Sequence, residues 1–354
     1  MTDILKIAVG VSDSPWDQRF AAALDEHISR GEPVRYDLVD LRRSDWIRRV
    51  EPYGAILWKS TAMGIEEAEH YKEKTYFLEA YLGKMVVPNY NSIWHFESKV
   101  AQSYLLAIAN VPTPATIATF NHYEAEARIQ ELTFPVVFKR SEGAGSRNVQ
   151  LVKSQTDAMR RHRQAFAQQM FHELRAKGGS LWCDAATAVR RRWFWKFLWQ
   201  CLTGHIPQGH LYWQEFLAGN DADLRIAAIG DRCAYGFWRR NRPNDFRASG
   251  SGRIDYDRTV PEEALRMCLA LNRRFDFDSM AYDILLKDDQ FVISEMSYGY
   301  LDVVPYRTAG YFRLHDDGQL EFVKGHVWPQ SLWAEWTIER WNRRRSLETG
   351  RQGN

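Results

Sequence analysis

Long apolar runs are missing from this 354-residue chain. Nothing in it approaches the roughly 20 apolar residues that a membrane-spanning helix requires. The start, Met1-Thr2-Asp3-Ile4-Leu5-Lys6, has no basic leader followed by an apolar core, which predicts no secretory signal and a cytoplasmic protein. Cysteine is scarce: Cys183, Cys201, Cys233 and Cys268 are scattered without a CxxC pair, so they read as buried thiols rather than a disulfide frame or a zinc site. Charge of one sign is also lacking. Forty-seven Lys and Arg meet 45 Asp and Glu for a net +2, which argues against a nucleic-acid partner. After the first strand-like run, Val9-Gly10-Val11-Ser12-Asp13-Ser14 holds a single glycine, so a nicotinamide-binding fingerprint is absent. A Walker lysine pattern is absent too.

What remains is a globular composition, 45% hydrophobic and 26% charged, with 14 tryptophans. Residues 1–90 alternate strand-like runs (Ile4–Val11, Val34–Leu41, Tyr53–Trp58, Met85–Pro88) with helical patterns, clearest over Ile65–Leu82. That alternation predicts a parallel, helix-flanked sheet of about four strands. A helix over 91–114 ends at Val111-Pro112-Thr113-Pro114. Then follow a strand, a helix over His122–Leu132, and Phe134-Pro135-Val136-Val137-Phe138-Lys139. A glycine-bearing loop over 141–148 leads to a second strand, Val149–Val152. Residues 160–196 are strongly basic: nine Lys or Arg against Glu173 and Asp184, a local +7 that leaves the remainder at −5. Later strand-like runs cover Leu211–Leu217, Leu224–Ile229, Cys233–Arg239, Met280–Leu286 and Phe291–Ser297. A Trp-rich helix from Ser331 closes the chain.

Several charges stand where strands should be apolar. Asp283 sits inside Met280–Leu286 and Glu295 inside Phe291–Met296. A carboxylate there needs a cation or dense hydrogen bonding, because desolvating it alone is costly. The two runs are joined by Lys287-Asp288-Asp289-Gln290 and are expected to lie antiparallel. Their carboxylates then suit Mg²⁺, a hard cation that takes oxygen ligands. The competing reading pairs each with a nearby arginine. Lys139 ends an apolar strand just before Gly143 and Gly145, where an ammonium and loop amides can meet phosphate. Its plain alternative is an edge lysine before a hairpin. Trp213-Gln214-Glu215-Phe216-Leu217 offers strand-end backbone to an adenine edge, and Asp223-Leu224-Arg225 follows it.

Taken in order, these segments resemble the ATP-grasp superfamily, in particular its ribosomal-protein glutamate ligases and glutathione synthetases. The resemblance runs from about Asn91 to Ser297. It implies an α/β (α+β) ATP-grasp fold with a Rossmann-like N-terminal domain and a helical insertion. The expected division is 1–92, a lid subdomain over 93–210 with its basic insert at 153–210, a C-terminal subdomain over 211–330, and a helix and tail over 331–354. Lys99 and Lys139 resemble the two lysines that contact ATP phosphates. Gly143, Gly145 and Ser146 are similar to the phosphate flap, and Gln214, Glu215, Phe216 and Leu217 to the adenine hinge. Asp223 and Arg225 resemble the Asp-x-Arg after that hinge, and Arg239 and Arg247 the arginines flanking the transferred phosphate. Asp283, Glu295 and Ser297 take the metal positions.

The implied chemistry is an ADP-forming ligase that uses ATP and one or two Mg²⁺ ions. A substrate carboxylate becomes an acyl phosphate, and an amine captures it as an amide. Two departures stand out: the family's Glu-x-Asn is Glu295-Met296-Ser297 here, and its Arg-x-Asn is Arg247-Ala248-Ser249. They leave a catalytically inactive, nucleotide-binding scaffold as the alternative. The basic insert and the segments Gly310–Arg313 and Gly325–Gln330 are similar to ATP-grasp proteins of surface-polysaccharide biosynthesis. That likeness implies an amino acid joined to an acidic sugar or sugar nucleotide. A basic amphipathic stretch over 190–202 is alternatively suited to peripheral contact with the inner membrane face.

Overall fold

A computed structural model describes residues 4–12, 14–60, 65–139, 149–167, 169 and 209–352. The expected flap residues Gly143, Gly145 and Ser146, and the stretch 190–202, lie outside the described residues. The chain divides into two compact units. One is made of 1–96, 221–285 and 293–354, the other of 97–220 and 286–292.

The chain opens with β1 (Leu5–Gly10), α1 (Trp16–Ser29), β2 (Val34–Val39), α2 (Trp46–Val50), β3 (Ala55–Leu57), α3 (Ile65–Ala80), β4 (Met85–Val87) and α4 (Tyr90–Ile93). The four strands form a parallel sheet in the order β2-β1-β3-β4. Its central strands are apolar on both faces because helices cover both, as parallel sheets require. Gly10 ends β1 against the Trp58 ring, where an added Cβ would lie 2.2 Å from a ring carbon. No larger residue fits there.

The helix expected over 91–114 is broken. Glu97 takes the left-handed conformation (φ 61°), and Ser98 Oγ accepts from the Ala101 amide at 3.3 Å to cap a new helix, α5 (Lys99–Ala109). The second unit continues with β5 (Thr116–Thr119), α6 (His122–Gln130), β6 (Val136–Lys139), β7 (Val149–Val152), α7 (Gln155–Ala165) and β8 (Leu211–Glu215). Its sheet is antiparallel in the order β5-β8-β6-β7, over a core that includes Ile129, Val136, Phe166 and Trp213. Strand β8, grouped by sequence with the residues after it, therefore lies inside the preceding sheet, between β5 and β6.

The remaining elements are β9 (Ala222–Ile229), β10 (Cys233–Arg240), β11 (Ile254–Asp255), α8 (Glu262–Phe275), β12 (Ser279–Lys287), β13 (Gln290–Ser297), β14 (Gly310–Leu314), β15 (Leu320–Lys324) and α9 (Pro329–Gln352). They build a seven-stranded sheet, β13-β12-β9-β10-β14-β15 with β11 on β10. The β12–β13 turn places Asp288 and Asp289 at φ 49° and 61°, the conformation that a two-residue hairpin needs. Helix α9 joins this region to the N-terminal sheet: Trp333 stacks on Phe20 at 5.8 Å and lies tilted against Trp16 at 5.3 Å. Aromatic burial of this size dominates a core. Cys233 and Cys268 are buried free thiols. No described helix is long and apolar enough to cross a membrane.

Candidate active site

Four charged residues meet on one face of the seven-stranded sheet. Side chains two apart on a strand share a face, so Asp223 and Arg225 of β9 point together. Register places Arg239 of β10 opposite Asp223, and Asp283 of β12 opposite Arg225. The geometry is that of paired forks. Arg225 donates to Asp283 from Nε at 2.7 Å and from Nη2 at 3.0 Å. Arg239 donates to Asp223 at 2.7 and 2.6 Å, and its Nη2 also reaches Asp283 Oδ2 at 2.7 Å. Asp223, Arg239 and Asp283 are buried, while Arg225 keeps 21% of its side chain exposed. The quartet has no net charge, which is what makes burying it tolerable.

Its two acids are treated differently. Burial alone would raise the Asp283 carboxyl, but the Arg225 and Arg239 guanidiniums outweigh burial and hold it well below the carboxylate range. Burial prevails at Asp223 and pushes its carboxyl up. Arg239 is held charged by both acids against the effect of its own burial. The arginine-paired alternative raised for Asp283 in the sequence is thus the arrangement present.

The other expected residues sit as follows. Lys139 ends β6, buried and in register with Val149. Lys99 begins α5, also buried. Gln214 on β8 lies between Thr116 and Val137, and its Nε2 donates to Thr116 Oγ1 at 3.3 Å. Glu215 is committed locally: it accepts from the Ala115 amide at 3.0 Å and from Lys287 Nζ at 2.7 Å. Burial opposes its ionisation, yet these donors hold its carboxyl below the usual range. Phe216 and Leu217 follow the strand, and the Leu217 carbonyl accepts from Asn220 Nδ2 at 3.4 Å. Arg247 lies in the loop after β10, forked onto Asp245 at 2.6–3.0 Å. Lys99, Lys139 and Gln214 belong to one unit; Asp223, Arg225, Arg239, Arg247, Asp283, Glu295 and Ser297 belong to the other.

A divalent cation suits the expected metal set in kind, since carboxylate and hydroxyl oxygens are hard donors. The arrangement is less open. Both Asp283 oxygens are engaged by guanidinium, and Ser297 Oγ accepts from the Gly299 amide at 3.1 Å. Among the described residues no three His, Cys, Asp or Glu side chains converge as a metal centre. A cation at Asp283 would have to displace an arginine.

Asp278 and Lys59 are among the buried ionisable groups that the sequence pattern did not single out. Asp278, just before β12, is anchored by Asn89, Trp336 and Arg340. Lys59 follows the apolar run Ala55–Trp58, which was its one sequence signal.

The chain thus combines a lysine-tipped antiparallel strand pair in one unit with a buried acid–arginine quartet on the sheet of the other. No family model matches the chain. It is 24% identical over 230 residues to the alpha-aminoadipate–LysW ligase LysX of Saccharolobus solfataricus, across 63% of this chain and 69% of that protein. An ATP-grasp RimK domain protein from Sphaerobacter thermophilus superposes with a TM-score of 0.52 at 15% identity, over 94% of this chain and 99% of its own. D-alanine–D-alanine ligase from Bacillus anthracis, complexed with ATP, gives 0.53 at 14% identity over 98% and 100%. The chain has the ATP-grasp fold.

Proposed function

We propose that this protein is an ADP-forming carboxylate–amine ligase. The observation that carries the reading is the quartet Asp223–Arg225–Arg239–Asp283, which gathers two carboxylate-paired guanidiniums on a sheet of this fold. Support also comes from the relatives' names, two of which are ligases acting on alpha-aminoadipate and D-alanine.

The proposed reaction begins when a substrate carboxylate oxygen attacks the γ-phosphorus of ATP and ADP departs. The amine then attacks the acyl carbon, loses a proton and expels phosphate, leaving an amide. Bringing a carboxylate to a polyphosphate demands positive charge, and that is the task assigned to this chain's side chains. Lys99 and Lys139 are assigned to ATP phosphates, and the Gln214–Leu217 backbone to adenine. Arg225, Arg239 and Arg247 are assigned to the charge that develops during transfer. Asp283, Glu295 and Ser297 would hold Mg²⁺, which when bound neutralises phosphate charge. An acidic sugar as the finer identity of one substrate rests on the +7 of residues 160–196.

The test is ADP and phosphate release over a panel of amino acids paired with amino-acid, peptide and uronic-acid partners. Turnover should appear with one pair and fall at least 100-fold in Arg225→Met. Binding of ATP without turnover on any pair would favour the inactive scaffold, and absence of ATP binding would overturn both readings.

A further inference from the structure

The sheet order β2-β1-β3-β4 turns back on itself between β1 and β3, because their neighbours are added on opposite sides. Ligands of open α/β sheets bind outside the carboxyl ends of the strands at such a reversal. What stands there is unusual. Lys59, two residues past β3, is nine-tenths buried, and its Nζ lies 4.4 Å above the ring of Trp16, the first residue of α1. Neither a hydrogen-bond acceptor nor an ion-pair partner meets that ammonium among the described residues. Asp302, the nearby acid whose field reaches it, is already taken: it accepts from Arg19 Nη1 and from Gln330 Nε2 at 2.6 Å. Arg19 is itself positioned, its guanidinium lying 4.2 Å over the Trp328 ring with 30% of the side chain exposed. Two cations thus share one carboxylate.

An ammonium largely withdrawn from water, with an aromatic face beside it and no described acceptor, is costly to hold. Burial pushes the Lys59 ammonium down to about 8, with Asp302 only partly restoring it, so at neutral pH the group is still mainly charged. A structural lysine would have an acceptor; a ligand-binding one waits for it. Lys59 differs in this from the quartet, where every charge is answered within the chain. We propose that Lys59 and Arg19, at the carboxyl ends of β1 and β3, form a subsite for an oxyanion of a substrate, either a carboxylate or a phosphate group. The substrate role rests on the ligase reading, but the anion site itself does not.

The experiment therefore measures anion binding by the full-length protein without ATP, by calorimetry and thermal shift. The probes are glutamate for the carboxylate and inorganic phosphate for the phosphate. Saturable binding of either probe to the wild type is expected, at least tenfold weaker in both Lys59→Met and Arg19→Gln. Lys59→Met should also melt no lower than the wild type when unliganded, because it removes a buried charge that no described acceptor answers. A response to glutamate assigns the subsite to a carboxylate, and one to phosphate assigns it to a phosphorylated substrate. Equal affinity in Lys59→Met, absence of binding of either probe, or a markedly lower unliganded melting point for that variant would overturn the proposal. Persistent anion binding in a protein that never turns over ATP would sink the ligase reading and leave the subsite standing.

Discussion

Two buried aspartates stand five residues apart and are held in opposite ways. Asp278 receives the Asn89 amide at 2.7 Å, the Trp336 indole Nε1 at 2.7 Å and the Arg340 guanidinium. Its partners come from the segment after β4 and from α9, so it ties the ends of the first unit's chain to β12. Asp283 receives guanidinium nitrogens at both carboxylate oxygens. The fields follow the partners. Burial pushes the Asp278 carboxyl up, with a single guanidinium opposing it, whereas two guanidiniums overcome burial at Asp283 and hold it down. Backbone and indole donors are fixed in place and cannot be exchanged without unfolding their elements. Guanidiniums on flexible stems can trade a carboxylate for a phosphate. One aspartate is held by backbone and indole donors as well as a guanidinium; the other carboxylate is held by guanidiniums.

The largest expected effect tests the anchor. Asp278→Ala strips a backbone amide, an indole and a guanidinium of their acceptor at once and should destabilise by about 3–5 kcal/mol. Urea melts would read this, and a loss under 1 kcal/mol would break the contrast. Asp283→Asn should cost less, about 1–3 kcal/mol, because Arg239 retains Asp223 and Arg225 reaches solvent. It should nevertheless abolish phosphate release. Intact turnover in a variant as unstable as Asp278→Ala would reverse the two roles.

A further effect, spread over a range of pH, is expected beside the anchor. Burial, with Asp278 adding to it, raises Glu79 from its ordinary 4.5 to about 7, although the Tyr90 amide donates to it. A raised acid stabilises fully below its unfolded value, and that contribution is lost as pH rises through its folded value. Wild type should therefore lose on the order of 2–3 kcal/mol relative to Glu79→Gln between about pH 4.5 and 7. Parallel stability curves for the two proteins across that window would remove Glu79 from the account.

Much of this was legible in the residues. The four N-terminal strands follow from short apolar runs between helical patterns, a local signal. The β12–β13 hairpin followed from its Asp-Asp turn, and Lys139 from a charge at the end of an apolar strand. The helix break before Lys99 was not read, although Ser98 is a good cap, because the apolar spacing on either side continues through it. Strand β8 was grouped forward, since adjacency in sequence says nothing about insertion between β5 and β6. The partner of Asp283 stayed open between a metal and an arginine for the same reason.

By itself the sequence determined the strand and helix periods, the lack of an apolar run long enough to span a membrane, and which charges had to be answered inside apolar strands. Those are properties of neighbouring residues, set by side-chain periodicity and desolvation. Tertiary structure decided which charge answers which. Arg225 meets Asp283 only because β9 and β12 pair in that register, 58 residues apart in the chain. Among the described residues Lys59 meets no acceptor, because Arg19 and Gln330 take Asp302. Such pairings depend on strand register and helix docking, which chain-distant contacts set and local sequence does not encode.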